Sequence, residues 1–265
     1  MSNPVALITG SSRRIGAETA RQLHANNFNV VLHYRHTQKE ALLLTEQLNI
    51  IRENSAINFC ADLKDIAQVR ELAAKAAGHW GRIDTLVNNA SSYYPTPFGE
   101  VTEEQWSDLL DSNTKAAFFL SQALAADLKK QRGSIVNIVD IHADYPLPEY
   151  SPYTIAKAGS AMLTKSLARE LAPHVRVNGV SPGVIVWPEN AAEHTSQEKQ
   201  RILAQVPLER EGTTQDIANT VLFFVTQAPY ITGQILAVDG GRSIFLEGNG
   251  DKGYVKGVER GKRQR

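Results

Sequence analysis

Short runs of apolar, often β-branched residues alternate with longer amphipathic stretches from the start of the chain to about residue 240. The short runs have the length of buried strands, and the longer stretches show the apolar spacing of helices. Strands are predicted at 5–9, 29–34, 57–60, 85–88, 134–139, 176–180 and 235–238. Helices are predicted at 16–25, 39–51, 65–78, 103–130, 154–172 and 214–226.

Strands without a polar face, separated by helices, are typical of a parallel sheet that is covered on both faces. Because crossovers between parallel strands are right-handed, we expect an α/β fold with a single doubly wound sheet of the Rossmann type and helices on both faces. We assign residues 1–245 to this domain. Residues 246–265 are rich in glycine and basic side chains with almost nothing apolar to bury, so we interpret them as a disordered basic tail.

Composition narrows the classes of function. Lys plus Arg and Asp plus Glu number 28 each, so no net charge favours nucleic acid or a membrane surface as a partner. No apolar stretch approaches the ~20 residues of a membrane span, and the N-terminus lacks the basic region of a signal peptide. The single cysteine, Cys60, cannot form an internal disulfide, and no two histidines have metal-ligand spacing. We therefore expect a cytoplasmic protein without a metal.

A glycine-containing loop joins the first predicted strand to the first predicted helix. A loop of this kind brings the backbone close to a pyrophosphate, and the helix N-terminus adds free N–H groups and a positive dipole end. Its position at the first β–α junction is the context that supports a dinucleotide site. The predicted contacts in this loop are Gly10, Arg13, Arg14, Ile15 and Gly16.

The end of the second predicted strand indicates which dinucleotide is bound. NAD sites usually carry an acid here for the ribose hydroxyls, whereas this chain has His33, Tyr34, Arg35, His36 and Thr37. Of these, Arg35, His36 and Thr37 can supply charge and hydrogen bonds to a 2′-phosphate, so NADPH is the expected cofactor, with His33 and Tyr34 as further contacts. Further cofactor contacts are expected from residues that end the third and fourth strands, namely Asp62, Leu63, Asn89, Ala90 and Ser91.

A tyrosine and a lysine four residues apart are the candidate catalytic pair. Tyr153 and Lys157 share one face of a predicted helix, and a nearby cation lowers the pKa of a phenol towards the working range. Such a pair often arises by chance. In combination with the glycine-containing loop and the strand-end asparagines it is a specific signal.

The chain resembles the short-chain dehydrogenase/reductase family over residues 4–243. The matching motifs are Thr9-Gly10…Gly16, Asn88-Asn89-Ala90, Asn113, Tyr153-x-x-x-Lys157, Pro182-Gly183 and Asp239-Gly240-Gly241. The resemblance implies that Tyr153 donates a proton, that Lys157 holds the nicotinamide ribose and tunes Tyr153, and that Asn113 braces a proton-relay water. It also implies that Pro182 and Gly183 belong to the cofactor site, and that the protein is a homotetramer with helices 103–130 and 154–172 at its interfaces.

Two departures from the usual family pattern resemble the pteridine reductase subgroup. Arg14 stands where most members have glycine, and Asp140 stands where most have a serine before the tyrosine. The segment 88–97 is also similar to that subgroup, in which an aromatic residue at the position of Tyr93 stacks on the pterin. The resemblance and the chemistry together predict a substrate site formed by Arg14, Ser91, Tyr93, Asp140, Tyr150 and Tyr153.

The chemistry of Asp140 agrees with that subgroup. A carboxylate repels the oxyanion that develops when a carbonyl is reduced, whereas an Asp140–Tyr153 pair can deliver a proton to the nitrogen of a ring C=N bond. We expect reduction of a dihydropterin such as dihydrobiopterin, dihydromonapterin or dihydrofolate, with residues 184–205 as a mobile lid. Two alternatives stay open: a reductase of a ketone or an acyl-carrier thioester, and a non-catalytic NADPH-binding regulatory protein whose tail binds nucleic acid.

Overall fold

The computed structural model describes residues 3–187 and 195–244. Over these residues the chain forms one sheet of seven strands in the order β3-β2-β1-β4-β5-β6-β7, and every neighbouring pair is parallel. The strands are β1 (Val5–Ile8), β2 (Asn29–Tyr34), β3 (Ala56–Cys60), β4 (Thr85–Asn88), β5 (Ser134–Ile138), β6 (Arg176–Pro182) and β7 (Ile235–Val238). The predicted doubly wound α/β fold is confirmed.

Helices cover both faces of the sheet. They are α1 (Arg14–Ala25), α2 (Gln38–Ile51), α3 (Ile66–Trp80), α4 (Glu103–Leu110), α5 (Ala116–Gln131), α6 (Ser151–Leu171), α7 (Ser196–Leu203) and α8 (Thr214–Thr226). One apolar core cluster contains side chains of α3, α5 and α6, and the other contains side chains of α1, α2 and α8. Alternate residues of β1 enter opposite clusters, which is why this strand is apolar throughout.

The predicted helix 103–130 is wrong in one respect, because a π-helical turn at Asp111–Lys115 divides it into α4 and α5. Two side chains accompany the irregularity: the Ser112 hydroxyl donates to the carbonyl of Asp108, and the Asn113 amide donates to the carbonyl of Leu109. Bonds of this kind compete with the regular helical pattern. π-Helical turns occur frequently at functional sites, and this one buries Asn113 beneath the edge of the sheet.

Several boundaries also differ from the predictions. The first helix begins at Arg14 rather than at residue 16, and α6 begins at Ser151 with Pro152 in its first turn. Of the expected lid 184–205, the described part contains α7, while 188–194 lie outside the described residues. The predicted tail 246–265 and residue 245 lie outside them too. Among the described residues no helix is long and apolar enough to cross a membrane.

Candidate active site

A cleft of about 710 Å³ runs along the carboxyl edge of the sheet. Ligands of open α/β sheets bind at this edge, where crossovers lead away from the central strands in opposite directions. Every predicted site residue except Asn113 lines the cleft. These residues are Gly10, Arg13, Arg14, Ile15, Gly16, His33, Tyr34, Arg35, His36, Thr37, Asp62, Leu63, Asn89, Ala90, Ser91, Tyr93, Asp140, Tyr150, Tyr153, Lys157, Pro182 and Gly183.

The loop between β1 and α1 has the close backbone packing of a phosphate-binding turn. Gly10 has a φ of +61°, and a Cβ atom at Gly16 would lie 2.3 Å from the carbonyl oxygen of Gly10. The Asn89 amide donates to the carbonyls of Thr9 and Gly10 at 2.9 and 3.0 Å, so this side chain holds the loop in place. The N-terminal turn of α1 therefore packs directly against the loop, with no room for a side chain at Gly16.

Arg14 adopts a left-handed backbone conformation, with a φ of 53°. This conformation explains why a glycine is common at the position, because an L-residue pays roughly 1–2 kcal/mol to occupy it. The Arg14 guanidinium donates to the carbonyl of Trp187 at 2.6 Å. Trp187 also lines the cleft, so Arg14 joins the glycine-containing loop to the segment that follows β6.

The end of β2 carries polar groups that face the loop. The hydroxyls of Ser12 and Thr37 lie 2.5 Å apart, and the Arg35 guanidinium pairs with the Asp62 carboxylate at 2.9 Å. Ser12 was not predicted as a site residue, although a hydroxyl within the loop was a visible signal. These groups place hydrogen-bond donors and a cation at one end of the cleft.

His33 lines the cleft, but its ring is buried. It is 3% exposed, and burial lowers the pKa of its ring to about 4, against smaller opposing effects of the Ala61 carbonyl and Asp62. A neutral, buried ring supplies no positive charge to a 2′-phosphate. His33 packs between the glycine-containing loop and the end of β3, where its ring bonds to Gly10 and Ala61.

Tyr153 and Asp140 form the polar centre at the other end of the cleft. The Tyr153 hydroxyl donates to Asp140 Oδ2 at 2.7 Å, and the backbone N–H of His142 donates to Asp140 Oδ1 at 2.8 Å. Asp140 follows β5 and caps the short helical turn Ile141–Ala143. Two hydrogen bonds therefore fix the orientation of the carboxylate beside the phenol.

The pKa of Tyr153 is raised, contrary to the sequence-based expectation. Burial is the main cause, and the negative charge and hydrogen bond of Asp140 add to it. Lys157 Nζ lies 5.7 Å from the centroid of the tyrosine ring and donates to the Ile138 carbonyl at 3.1 Å, so it does not offset the nearby carboxylate. Tyr153 is therefore a neutral phenol at neutral pH, a state suited to proton donation.

Lys157 is buried, and its pKa is lowered to about 8 by burial, with Asp140 opposing the shift. It stays largely protonated at neutral pH. Because its helix α6 also carries Tyr153 one turn earlier, the two side chains reach the cleft from the same face, as the spacing predicted.

Asn113 lies beneath the cleft and ties the strand-end loop to the π-helical turn. Its Oδ1 accepts from the Ser91 hydroxyl at 2.6 Å, and its Nδ2 donates to the carbonyls of Ser92 and Leu109. Its own carbonyl accepts from the Ser160 hydroxyl at 3.0 Å. The predicted relay-water role stays a prediction, while the side chain has a defined positional role for Ser91.

Three tyrosines form an aromatic wall of the cleft. Tyr93 stacks on Tyr150 with ring centroids 4.7 Å apart and meets Tyr153 edge-on at 4.9 Å. Tyr94 anchors this segment, because its hydroxyl donates to the Asp108 carboxylate at 3.0 Å. Tyr93 is still 44% exposed, so part of its ring surface faces outward.

Further cleft residues were not predicted, among them the polar or aromatic Ser92, His142, Trp187 and Arg242. They lie in loops, in the short turn Ile141–Ala143 or beyond the last strand, where no hydrophobic periodicity marks a position as facing a ligand. Arg242 had one usable signal, since it follows the Asp239-Gly240-Gly241 motif. Asp239 accepts from the backbone amides of Gly241 and Ser243 and thereby shapes the turn that carries Arg242.

Comparison with known proteins agrees with this geometry. The family model described as enoyl-(acyl carrier protein) reductase matches residues 10–243. Pteridine reductase 1 of Leishmania tarentolae is 39% identical, over 91% of this chain and 96% of the relative. The 3-oxoacyl-(acyl-carrier-protein) reductase FabG of Staphylococcus aureus strain Mu50 is 36% identical, over 89% of this chain and 96% of the relative.

The match spans both the glycine-containing loop and the Tyr153–Lys157 pair, which line the same cleft. Both relatives are reductases by name. The chain therefore belongs to the short-chain dehydrogenase/reductase family and is a nicotinamide-dependent oxidoreductase.

Proposed function

We propose that this protein is an NADPH-dependent reductase of pteridines, which takes a dihydropterin such as dihydrobiopterin, dihydromonapterin or dihydrofolate to its tetrahydro form. The observation that carries the proposal is the hydrogen bond of 2.7 Å between the Tyr153 hydroxyl and the Asp140 carboxylate. A carbonyl reductase needs a neutral donor there, because a carboxylate repels the charge that develops on the carbonyl oxygen. A ring C=N bond gains a proton on nitrogen, which an acid–base pair can deliver.

Asp140 and Tyr153 are such a pair. The nicotinamide cofactor, when bound, supplies a hydride to the carbon of the C=N bond. The raised pKa of Tyr153 keeps its proton on the phenol until the ring nitrogen becomes basic. Tyr153 then donates that proton to the nitrogen, and Asp140 passes a proton from solvent back to the phenolate, so the pair returns to its starting state.

The residues present fit a dinucleotide with a 2′-phosphate. Close packing at Gly16 holds the N-terminus of α1 against the turn after β1, the arrangement in which backbone N–H groups can bind a pyrophosphate. At the adenosine end Arg13 and Arg35 line the cleft, and no carboxylate follows Tyr34 directly in the sequence to bind the ribose hydroxyls. Arginine and hydroxyl donors of this kind favour a phosphate, which supports NADPH over NADH.

The aromatic wall supports a flat substrate. A pterin ring can lie against the exposed surface of Tyr93 while Tyr150 supports the opposite side of that ring. Arg14 reaches the same region, and its guanidinium can exchange the Trp187 carbonyl for the oxo group of a pterin.

Reduction of a 3-oxoacyl thioester or a ketone is the second candidate. It is favoured by the 36% identity to the Staphylococcus aureus 3-oxoacyl reductase, which covers nearly the same part of the chain. Asp140 argues against it on the electrostatic grounds given above.

The test compares substrates and two carboxylate variants. Purified wild type, Asp140→Ser and Asp144→Ser are assayed for NADPH oxidation with dihydrobiopterin, simple ketones and a 3-oxoacyl thioester. We expect wild type to reduce the pterin and Asp140→Ser to lose roughly 10²–10⁴-fold in kcat/KM. Asp144 is an exposed carboxylate at the end of the same helical turn, so its variant should keep the wild-type rate. Turnover of the ketone or thioester without the pterin would contradict the proposal.

We also infer that the protein is a cytoplasmic homotetramer. Large apolar side chains on the two helices expected at the interfaces are substantially exposed: Phe118 on α5, and Ile155 and Met162 on α6, at 42%, 48% and 60%. Exposed apolar surface on neighbouring helices is typical of a subunit contact. The exposed Cys60 suits a reducing compartment.

A further inference from the structure

His33 makes two ring hydrogen bonds that fix its protonation state by geometry. Its Nδ1 lies 3.0 Å from the backbone nitrogen of Gly10, and its Nε2 lies 3.0 Å from the carbonyl oxygen of Ala61. An amide N–H can only donate and a carbonyl can only accept. Nδ1 is therefore the acceptor, Nε2 carries the proton, and the ring is neutral.

The backbone of His33 adds further bonds to the same loop. The Ser11 amide donates to the His33 carbonyl at 2.9 Å, and the His33 amide donates to the Ser11 hydroxyl at 3.0 Å. The Ser11 hydroxyl in turn donates to the carbonyl of Ile8. The backbone and the ring of His33 therefore both bind the glycine-containing loop, at Ser11 and at Gly10.

The two groups joined by the ring lie on different walls of the cleft. Gly10 belongs to the turn under the expected pyrophosphate, and Ala61 follows β3, next to Asp62 at the expected adenine end. A single rigid ring thus sets the spacing between the two parts of the nucleotide site. Its low pKa of about 4 keeps the arrangement intact at neutral pH.

We propose that His33 is a positioning residue for the nucleotide, which preforms the glycine-containing loop and the end of β3 through its neutral ring without contacting the 2′-phosphate. The proposal rests on the proposed function only for the identity of the nucleotide. Positioning of this kind lowers the ordering that binding requires, so its loss weakens cofactor binding more than it slows the chemical step.

The test uses three variants and measures binding apart from turnover. His33→Phe removes both ring bonds, and His33→Asn keeps an acceptor at the Nδ1 position. His24→Phe is the matched control, because His24 is equally buried and its ring bonds to the Ser55 hydroxyl at 2.7 Å, outside the cleft. The Kd values of NADPH and NADH are measured by fluorescence titration, together with kcat at saturating cofactor and the midpoint of unfolding.

We expect His33→Phe to raise the Kd by about tenfold or more while kcat stays within about twofold. His33→Asn should recover most of the affinity, and His24→Phe should lower the unfolding midpoint without changing the Kd. Unchanged affinity in His33→Phe would overturn the proposal, as would a similar loss of affinity in His24→Phe or no recovery in His33→Asn. If His33→Phe does not fold, His33→Asn must bind more tightly than His33→Gln, which lacks the acceptor at that position; equal affinities would overturn it.

The proposed function and the role of His33 are contradicted by different measurements. If wild type prefers NADH, or reduces ketones and not pterins, the NADPH-dependent pteridine reductase is wrong. The Kd values of the His33 and His24 variants can still be compared for whichever nucleotide binds. That comparison tests the role of His33 independently of the substrate.

Discussion

Lys157 lines the candidate active site, and the burial of its charge destabilises the folded state. It is buried, it donates to the carbonyl of Ile138, and Asp140 is the carboxylate that offsets its charge. Burial still dominates, since it lowers the pKa from 10.5 to about 8. The molecule therefore holds a partly compensated cation in its interior, where strongly perturbed groups are most often functional.

The first prediction follows from that pKa. Below pH 8 Lys157 is charged in both the folded and unfolded states, and its burial lowers the free energy of unfolding by its full amount. Between about 8 and 10.5 the folded state loses the proton first, so this penalty shrinks as pH rises.

We expect Lys157→Met to raise the free energy of unfolding at pH 7 by about 2 kcal/mol, after allowing for the lost bond to Ile138. The advantage over wild type should decline between pH 8 and 10.5, and reductase activity should be lost. Urea unfolding across this pH range measures the difference. An advantage that does not change with pH would show that the buried charge is not its source.

At the scale of elements, the site depends on how closely one helix end approaches a strand end. The N-terminus of α1 meets the turn after β1 at Gly16, where the Cβ of any other residue would lie 2.3 Å from the Gly10 carbonyl. The π-helical turn between α4 and α5 similarly brings Asn113 to the Ser91 hydroxyl. Both features fix residues that line the cleft, Gly16 directly and Ser91 through its bond to Asn113.

The second prediction concerns Gly16. Gly16→Ala should raise the Kd of NADPH at least about tenfold, because the loop must move away from the helix end to accommodate the methyl group. Gly78→Ala on α3 is the matched control, since a Cβ there meets nothing within 4 Å. The control should gain up to about 1 kcal/mol of stability from the better helix former and bind NADPH normally. Normal affinity in Gly16→Ala would mean that the contact between the loop and α1 does not control NADPH binding.

At the scale of the whole molecule, the cleft collects residues from the ends of six strands. These residues span the sequence from Gly10 to Arg242, so the site forms only when nearly the whole sheet is in place. The exposed apolar side chains of α5 and α6 lie on helices that pack against the face covered by α3. The fold therefore presents a candidate subunit surface apart from the cleft.

The third prediction tests that surface. Light scattering coupled to gel filtration should give wild type a mass four times that of the chain, and the double variant Phe118→Glu, Met162→Glu should give a smaller species, because buried unpaired charges oppose association. Ile50→Glu on α2 is the control, as Ile50 is 79% exposed on a helix not expected at an interface. A monomeric wild type, or equal disruption by Ile50→Glu, would contradict the prediction.

Much of the fold and the site could be predicted from sequence, because local patterns specify them. Continuous apolar runs separated by amphipathic stretches determined the parallel sheet, and the spacing of Tyr153 and Lys157 determined that they share a helix face. Gly10 and Gly16 could be predicted because their position at the first β–α junction permits little else. Each of these inferences depends on residues that are neighbours in the chain.

Only the tertiary structure decided the electrostatics and the contacts between distant segments. The pKa of Tyr153 is raised because β5 brings Asp140 within 2.7 Å of its hydroxyl, while Lys157 points to the Ile138 carbonyl. His33 is a buried bridge because β1 and β3 flank β2 in the sheet. Desolvation and hydrogen-bond partners depend on which groups pack together in three dimensions. Local sequence patterns do not identify neighbours that come from distant segments of the chain.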